Sequence, residues 1–242
     1  MPGTPTRRTK CHPRWRRETV ATSSWAVAAA QGYRAGEVIP IGLFEHIIGR
    51  IAVTVDVPIS ADFEGGYSED DSELANNVLR LIDLGVIGIN FEDRVVQGSA
   101  LYQVDRQARR IAAIRRAAEQ KGIGFFINAR TDLFLREDGD PAQSVDAALA
   151  RGNAYSDAGA SGFFIPGLQD EAFIGRICDG VALPVNVMVM DGMPSNERLL
   201  KLGVPHQLWP HSLHQRDENR QSGGAEASGF RECASTQADG MS

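Results

Sequence analysis

Two carboxylates one residue apart, Asp62 and Glu64, stand between an apolar run and a glycine pair in Ser60-Ala61-Asp62-Phe63-Glu64-Gly65-Gly66-Tyr67. Residues i and i+2 of an extended chain project to the same side, so both can present oxygens to one centre. That arrangement suits a hard cation: Mg²⁺ takes oxygen ligands, keeps several waters and needs only one or two carboxylates. The same pair also fits two solvated acids in a loop, because a D-x-E spacing is a weak pattern. Further along, Glu92 follows the apolar run Val86-Ile87-Gly88-Ile89-Asn90-Phe91, and Arg130 ends Gly124-Phe125-Phe126-Ile127-Asn128-Ala129. Asp62, Glu64 and Glu92 are therefore candidate oxygen donors, direct or through water, for Mg²⁺ or Mn²⁺. Arg130 offers the planar fork of donors that grips a carboxylate. A metal beside such an arginine polarises the oxygens of a small oxo or hydroxy acid and stabilises an enolate as it forms. Glu92 and Arg130 are also compatible with a purely stabilising ion pair at a barrel rim.

These side chains need elements that end at a common level. Residues 19–24 read as a short strand ending in hydroxyls and 26–30 as a small-residue helix, with Gly32, Gly36 and Pro40 punctuating the loop that follows. Leu43, Phe44, Ile47, Ile48, Ile51 and Ala52 fall at helical spacing within 41–55, ahead of a strand at 57–62. Ser68 to Ser72 supply capping residues and first-turn acids for a helix through Leu84, stopped by Gly85. Strands at 86–91, 124–130, 162–165 and 184–188 then alternate with helices at 104–120, 142–158, 170–179 and 195–202. In the helix at 104–120, Arg106, Arg109, Arg110, Arg115 and Arg116 read as a solvated face.

The apolar strands lack period-two alternation, as strands covered on both faces do, which predicts a parallel sheet. Polar residues recur at the strand ends, namely Ser23, Asp62, Glu92, Arg130 and Asn186, and favour an α/β (β/α)₈ TIM-type barrel with its site at the C-terminal rim. No glycine fingerprint opens a helix, against a dinucleotide-binding sheet. The barrel is expected to be incomplete, because its first and last strands are not recognisable in the sequence.

The 242-residue chain has a net charge of −6, which disfavours a nucleic-acid partner, since phosphate backbones are gripped by clustered Lys and Arg. Cys11, Cys178 and Cys233 are odd in number and scattered, which fits a reducing, cytoplasmic setting. No apolar run reaches transmembrane length. Residues 1–17, basic and proline-bearing, are expected to form a disordered leader before a barrel domain at 18–204. Residues 205–242 read as a polar, disordered tail whose His206, His211 and His214 are solvated.

Four linked segments carry a resemblance: Ala61 to Tyr67, Gly88 to Asp93, Ile127-Asn128-Ala129-Arg130-Thr131-Asp132, and Pro184-Val185-Asn186-Val187-Met188. In order and spacing the chain resembles the isocitrate lyase and phosphoenolpyruvate mutase superfamily from about Val20 to Val204. The resemblance implies a modified (β/α)₈ barrel that binds Mg²⁺ and a small α-oxo or hydroxy acid and cleaves or forms C–C or P–C bonds through an enolate. It implies Asp62 as the principal metal carboxylate, with Glu64 and Glu92 acting through the metal's water shell. By the same likeness Arg130 binds the substrate carboxylate, with Glu92 beside it as the second catalytic residue. Ser23, Ser24 and Trp25 fall where the family holds the substrate's carboxylate end, and Asn186 matches a substrate-facing asparagine.

Departures matter as much. The loop Arg94-Val95-Val96-Gln97-Gly98-Ser99 carries neither the catalytic cysteine of the lyases nor the lysine and asparagine of the mutases, and Ala35 falls where several members hold an aspartate. The leading expectation is a Mg²⁺-dependent C–C lyase. The alternatives are a P–C mutase or hydrolase and a catalytically inactive member. Family members commonly associate as homo-oligomers through the last barrel helix, which has no recognisable counterpart here.

Overall fold

The computed structural model describes residues 19–95, 98, 100–136, 141–204 and 208–210. The leader 1–17, the three tail histidines and residues 96, 97 and 99 of the loop lie outside the described residues. Seven strands alternate with helices in chain order. They are β1 (Val20–Ala21), α1 (Ser24–Ala30), α2 (Ile41–Ala52), β2 (Ile59–Asp62), α3 (Asp71–Asp83), β3 (Val86–Glu92) and α4 (Val104–Gln120), followed by β4 (Phe126–Arg130), α5 (Pro141–Asp157), β5 (Gly162–Phe164), α6 (Glu171–Gly180), β6 (Val185–Val189), α7 (Asn196–Lys201) and β7 (Leu208–Pro210). Each strand pairs in parallel with the next, in the order β1 to β7. Parallel neighbours require a crossover, and the helices provide it. The sheet curls into part of a TIM-type barrel, and among the described residues β1 and β7 are not paired.

Local chemistry sets the element ends. Asp70 caps α3, its carboxylate accepting from the N–H groups of Ser72 and Glu73 at 2.9 Å, with Asp71 and Glu73 in the first turn facing the positive end of the helix dipole. Gly85, at φ 93°, turns the chain from α3 into β3. Ile59, Ala61, Ile89, Phe91, Ile127, Ala129, Val185 and Val187 from the strands pack with Phe44, Ile48, Leu74, Val78, Leu81, Ile111 and Ile114 from the helices into one continuous core.

The structure departs from the sequence reading at three places. The expected strand at 19–24 is two residues long, because Ser23 caps α1: its Oγ accepts from the Ala26 N–H, and Ser24 is already helical. The arginines of α4 are not all solvated. Arg110 is fully buried; it donates to the carbonyls of Gly65 and Ser68 and to Gln107 Oε1, and lies 4.4 Å from the centre of the Tyr102 ring. Arg115 bonds the carbonyls of Gly159 and Phe125. A guanidinium with five donors can enter a core when loop carbonyls are waiting for it, and helical spacing puts Arg110 on the inward face with Gln107, Ile111 and Ile114. Third, residues 208–210, expected to be tail, form β7, with Leu208 in register with Val187.

Candidate active site

The turn after β2 is held from several sides. Asn77 Nδ2 donates to the Gly66 carbonyl at 3.0 Å, and Arg110 binds the carbonyls on either side of it. Gly66 has φ 87°, and a Cβ there would collide with Leu74 Cδ1 at 2.3 Å, so both the backbone and the packing demand glycine. Among the described residues only three non-glycine residues have positive φ: Glu37 (60°), Glu64 (47°) and Tyr67 (62°). They are bonded to one another. The Glu37 N–H donates to Glu64 Oε2 at 2.7 Å, and the Tyr67 N–H donates to Glu37 Oε1 at 2.6 Å. This strained conformation is stabilised by its neighbours, a pattern common at functional sites.

Asp62 ends β2 with its carboxylate buried. Oδ2 accepts from both the N–H (2.9 Å) and the Oγ (2.7 Å) of Ser24, while Oδ1 is buried with no hydrogen-bond partner. Glu64 is also buried; desolvation, then the nearby Asp62 and Glu37 carboxylates, push its pKa up to about 7. Glu92 at the end of β3 rises to about 8 through burial. The attraction of Arg130 opposes this shift, and Asp132, Asp62 and Glu64 add to it. Asp62, Glu64 and Glu92 thus share one acid-rich region.

Arg130 ends β4 in register with Glu92. Its Nη1 stands 3.2 Å from Glu92 Oε2, and its Nε and Nη2 grip the two oxygens of Asp132 at 2.6 and 3.1 Å. Asp132 is anchored in turn: its N–H donates to Asp93 Oδ1 at 3.1 Å. Asp93, fully buried, takes further bonds on Oδ2 from Arg151 (2.9 Å) and the Tyr155 hydroxyl (3.0 Å) of α5. An arginine held along its Nε side still has an N–H on each terminal nitrogen to offer a ligand carboxylate.

The remaining predicted residues divide. Ser23 Oγ caps α1, and Ser24 holds the Asp62 carboxylate through its N–H and Oγ. Trp25 is half-buried in the first turn of α1. Asn186 on β6 is buried and donates through Nδ2 to Asn128 Oδ1 at 2.7 Å, and Asn128 Nδ2 donates to Asn90 Oδ1 at 2.7 Å. Glu37, Asp93, Asp132, Asn90 and Asn128 were given no role from sequence. For the two asparagines a signal existed: each precedes a charged strand-end residue by two positions, which puts it on the same side of the sheet. For Glu37, in an irregular loop, there was none.

Whether these residues fit a cation can be judged from the donors. Among the described residues no three His, Cys, Asp or Glu side chains form a direct ligand set. One direct carboxylate with others acting through water is the arrangement Mg²⁺ accepts. The partnerless Asp62 Oδ1 and the mutual repulsion of three buried carboxylates are what a bound cation would relieve. The residues fit.

A curled parallel sheet with acids at the ends of β2 and β3, and an arginine at the end of β4, defines a barrel-type α/β protein with its charged residues gathered at the strand ends. The phosphoenolpyruvate phosphomutase family matches residues 14–216, and the chain belongs to it. Solved structures include a candidate phosphonomutase from Burkholderia cenocepacia J2315, 40% identical, covering 80% of this chain and 78% of that one with a TM-score of 0.75. Among curated relatives, oxaloacetate decarboxylase of Ectopseudomonas mendocina (strain ymp) is 28% identical over 193 residues, 74% of this chain and 62% of that protein. The 2-methylisocitrate lyase of Escherichia coli (strain K12) is 26% identical over 174 residues, 68% of this chain and 57% of that protein. The chain spans 41 to 66% of the length of the curated relatives it matches.

Proposed function

We propose that the protein is a divalent-metal-dependent lyase, using Mg²⁺ or Mn²⁺, that cleaves a C–C bond of a small oxo or hydroxy carboxylic acid on a (β/α)₈-type scaffold. The observation that carries this reading is the buried Asp62 Oδ1 with no partner, in an acid-rich region shared with Glu64 and Glu92 and with Arg130 in register beside it. Asp62 would hold the metal directly, and Glu64 and Glu92 through its waters. When bound, the cation polarises the ligand's carboxylate and adjacent oxygen and so stabilises negative charge that develops there.

The chain's own residues do the rest. Arg130 clamps a ligand carboxylate with its terminal N–H groups while Asp132 fixes the plane of the guanidinium. Glu92 Oε2 faces Arg130, which leaves Oε1 to hold or pass a proton near neutral pH. Ser24 fixes Asp62, and Glu37 fixes Glu64, so the carboxylates are preorganised before a ligand arrives. The names of the curated relatives support carbon–carbon chemistry on di- or tricarboxylic acids. The 40% identity to a candidate phosphonomutase favours a second reading, P–C bond rearrangement or hydrolysis.

Turnover of 2-methylisocitrate, isocitrate, oxaloacetate and phosphonopyruvate with Mg²⁺ separates the two. The lyase reading expects cleavage of one of the first three. Turnover of phosphonopyruvate alone would replace it with the second reading, and inertness toward all four, with the fold intact, would point to an inactive member.

A further inference from the structure

Gly162 lies opposite Asn128 in the register of β4 and β5. A Cβ there would stand 2.7 Å from Asn128 Oδ1 and 3.2 Å from Asn186 Nδ2. The missing side chain is what lets the Asn186 amide cross β5 and reach Asn128 at 2.7 Å. Asn128 hands the connection on to Asn90, also at 2.7 Å. Carboxamides from β3, β4 and β6 therefore form one chain of hydrogen bonds on the side of the sheet that carries Glu92 and Arg130. Both ends of that chain are bare. Asn90 Nδ2 and Asn186 Oδ1 have no partner, in residues only 1% and 2% exposed.

A chain of amides has a direction: turning all three over would leave an acceptor at the Asn90 end and a donor at the Asn186 end. Asp62 is the register neighbour of Asn90 on β2, and a carboxylate there attracts an N–H₂ group and repels a carbonyl. The direction is thus set beside the metal carboxylate. It is read out at Asn186, whose backbone shares a row with Phe164, Arg130 and Glu92.

We propose that Asn90, Asn128 and Asn186, threaded past Gly162, present Asn186 Oδ1 as an acceptor for a ligand hydroxyl, so that the site favours a 2-hydroxy acid over the matching 2-oxo acid. The inference rests on the reading of this site as one for small oxo or hydroxy acids, and adds which of the two it selects. A hydroxyl brings the donor that the buried oxygen lacks, whereas an oxo group brings only lone pairs. Asn90, Asn128 and Gly162 are positioning residues in this scheme, acting through Asn186.

Lactate and pyruvate form the simplest such pair. Their Kd values for the full chain with Mg²⁺, measured by titration calorimetry beside a titration of Mg²⁺ alone, test the idea. Lactate should bind roughly tenfold more tightly than pyruvate. In Gly162→Ala, which drives a methyl into the amide chain, the preference should fall below about twofold while the Kd for Mg²⁺ stays unchanged. Asn128→Ala, which removes the middle rung without adding bulk, should do the same and covers the case in which Gly162→Ala does not fold. A merely structural role would weaken both acids together and leave their ratio alone. Equal binding of the two acids by the natural chain, or a preference that survives in either folded variant, would overturn the inference. If Mg²⁺ binds and neither acid does, the reading of the site as one for these acids fails, and the inference falls with it.

Discussion

Glu92 and Asp93 are consecutive carboxylates at the end of one strand, both buried, and their surroundings are opposite in kind. Alternation along the strand turns Glu92 to the side that carries Arg130 and Asp93 toward α5. Asp93 meets an arginine, a tyrosine hydroxyl and a backbone N–H, so both of its oxygens are hydrogen-bonded. Glu92 meets one shared arginine, at 3.2 Å, together with three other carboxylates, and burial holds its pKa near 8. Burial does not separate the scaffold from the site here; satisfaction does. A carboxylate whose neighbours complete it is fully engaged in the fold, and one crowded by other carboxylates keeps an unmet demand for positive charge. The two regions meet at Arg130, because Asp93 anchors the N–H of Asp132, Asp132 grips Arg130, and Arg130 faces Glu92.

The contrast can be broken at either end. The largest effect should come from Asp62→Ala in the crowded region. Loss of the proposed metal ligand should lower turnover of whichever acid the screen identifies by at least about 10²-fold to 10³-fold, with the chain still folded, because relief of a buried charge offsets the two hydrogen bonds lost from Ser24. A folded Asp62→Ala chain of full activity would remove the metal reading. Asp93→Ala should instead act on stability. It leaves Arg151 buried beside an unfilled space, and urea unfolding should show a loss of about 3–5 kcal/mol.

The pH dependence sharpens the comparison. Glu64 and Glu92 have folded pKa values of about 7 and 8 against an ordinary 4.5. The folded state therefore holds protons that the unfolded state releases. Their contribution to stability is present below about pH 4.5 and is lost as pH rises through 7 and 8. In metal-free buffer the unfolding midpoint should fall by several degrees between pH 5 and pH 9. Burial raises Asp93 as well, which adds to the same fall, but only the Glu64 and Glu92 part should disappear when Mg²⁺ is added. A slope that Mg²⁺ leaves untouched would count against these carboxylates facing a cation. The smallest effect belongs to the exposed pair Lys121–Asp83, at 2.6 Å. Lys121→Ala should change stability by less than about 1 kcal/mol, because solvent screens such pairs.

Much of this architecture was legible in the sequence. The helix expected at 104–120 has those boundaries, and Asp62, Glu92 and Arg130 end the strands they were expected to end. Membership of the family followed from four short segments, and the match over residues 14–216 agrees with it. Arg110 was missed because a charge run on a helix reads as solvated unless the carbonyls of Gly65 and Ser68 are known to lie beneath it. Residues 208–210 were read as tail because a three-residue strand has too little pattern of its own, and only its pairing with β6 makes it one.

By itself the sequence determined the alternation of strand and helix, the parallel sheet that follows from it, and which charged residues arrive at the strand ends. Those depend on neighbours a few positions apart, where periodicity and capping act. The tertiary structure decided which carboxylates are completed and which are not. Ser24 reaches Asp62, the N–H of Glu37 reaches Glu64, Arg151 and Tyr155 reach Asp93, and an amide passes over Gly162 from β6 to β4. Each of those contacts spans 27 residues or more, since the shortest of them is Glu37 to Glu64. Only the packing of helices and loops against the paired strands brings such partners within hydrogen-bond reach, so no local pattern announces these contacts.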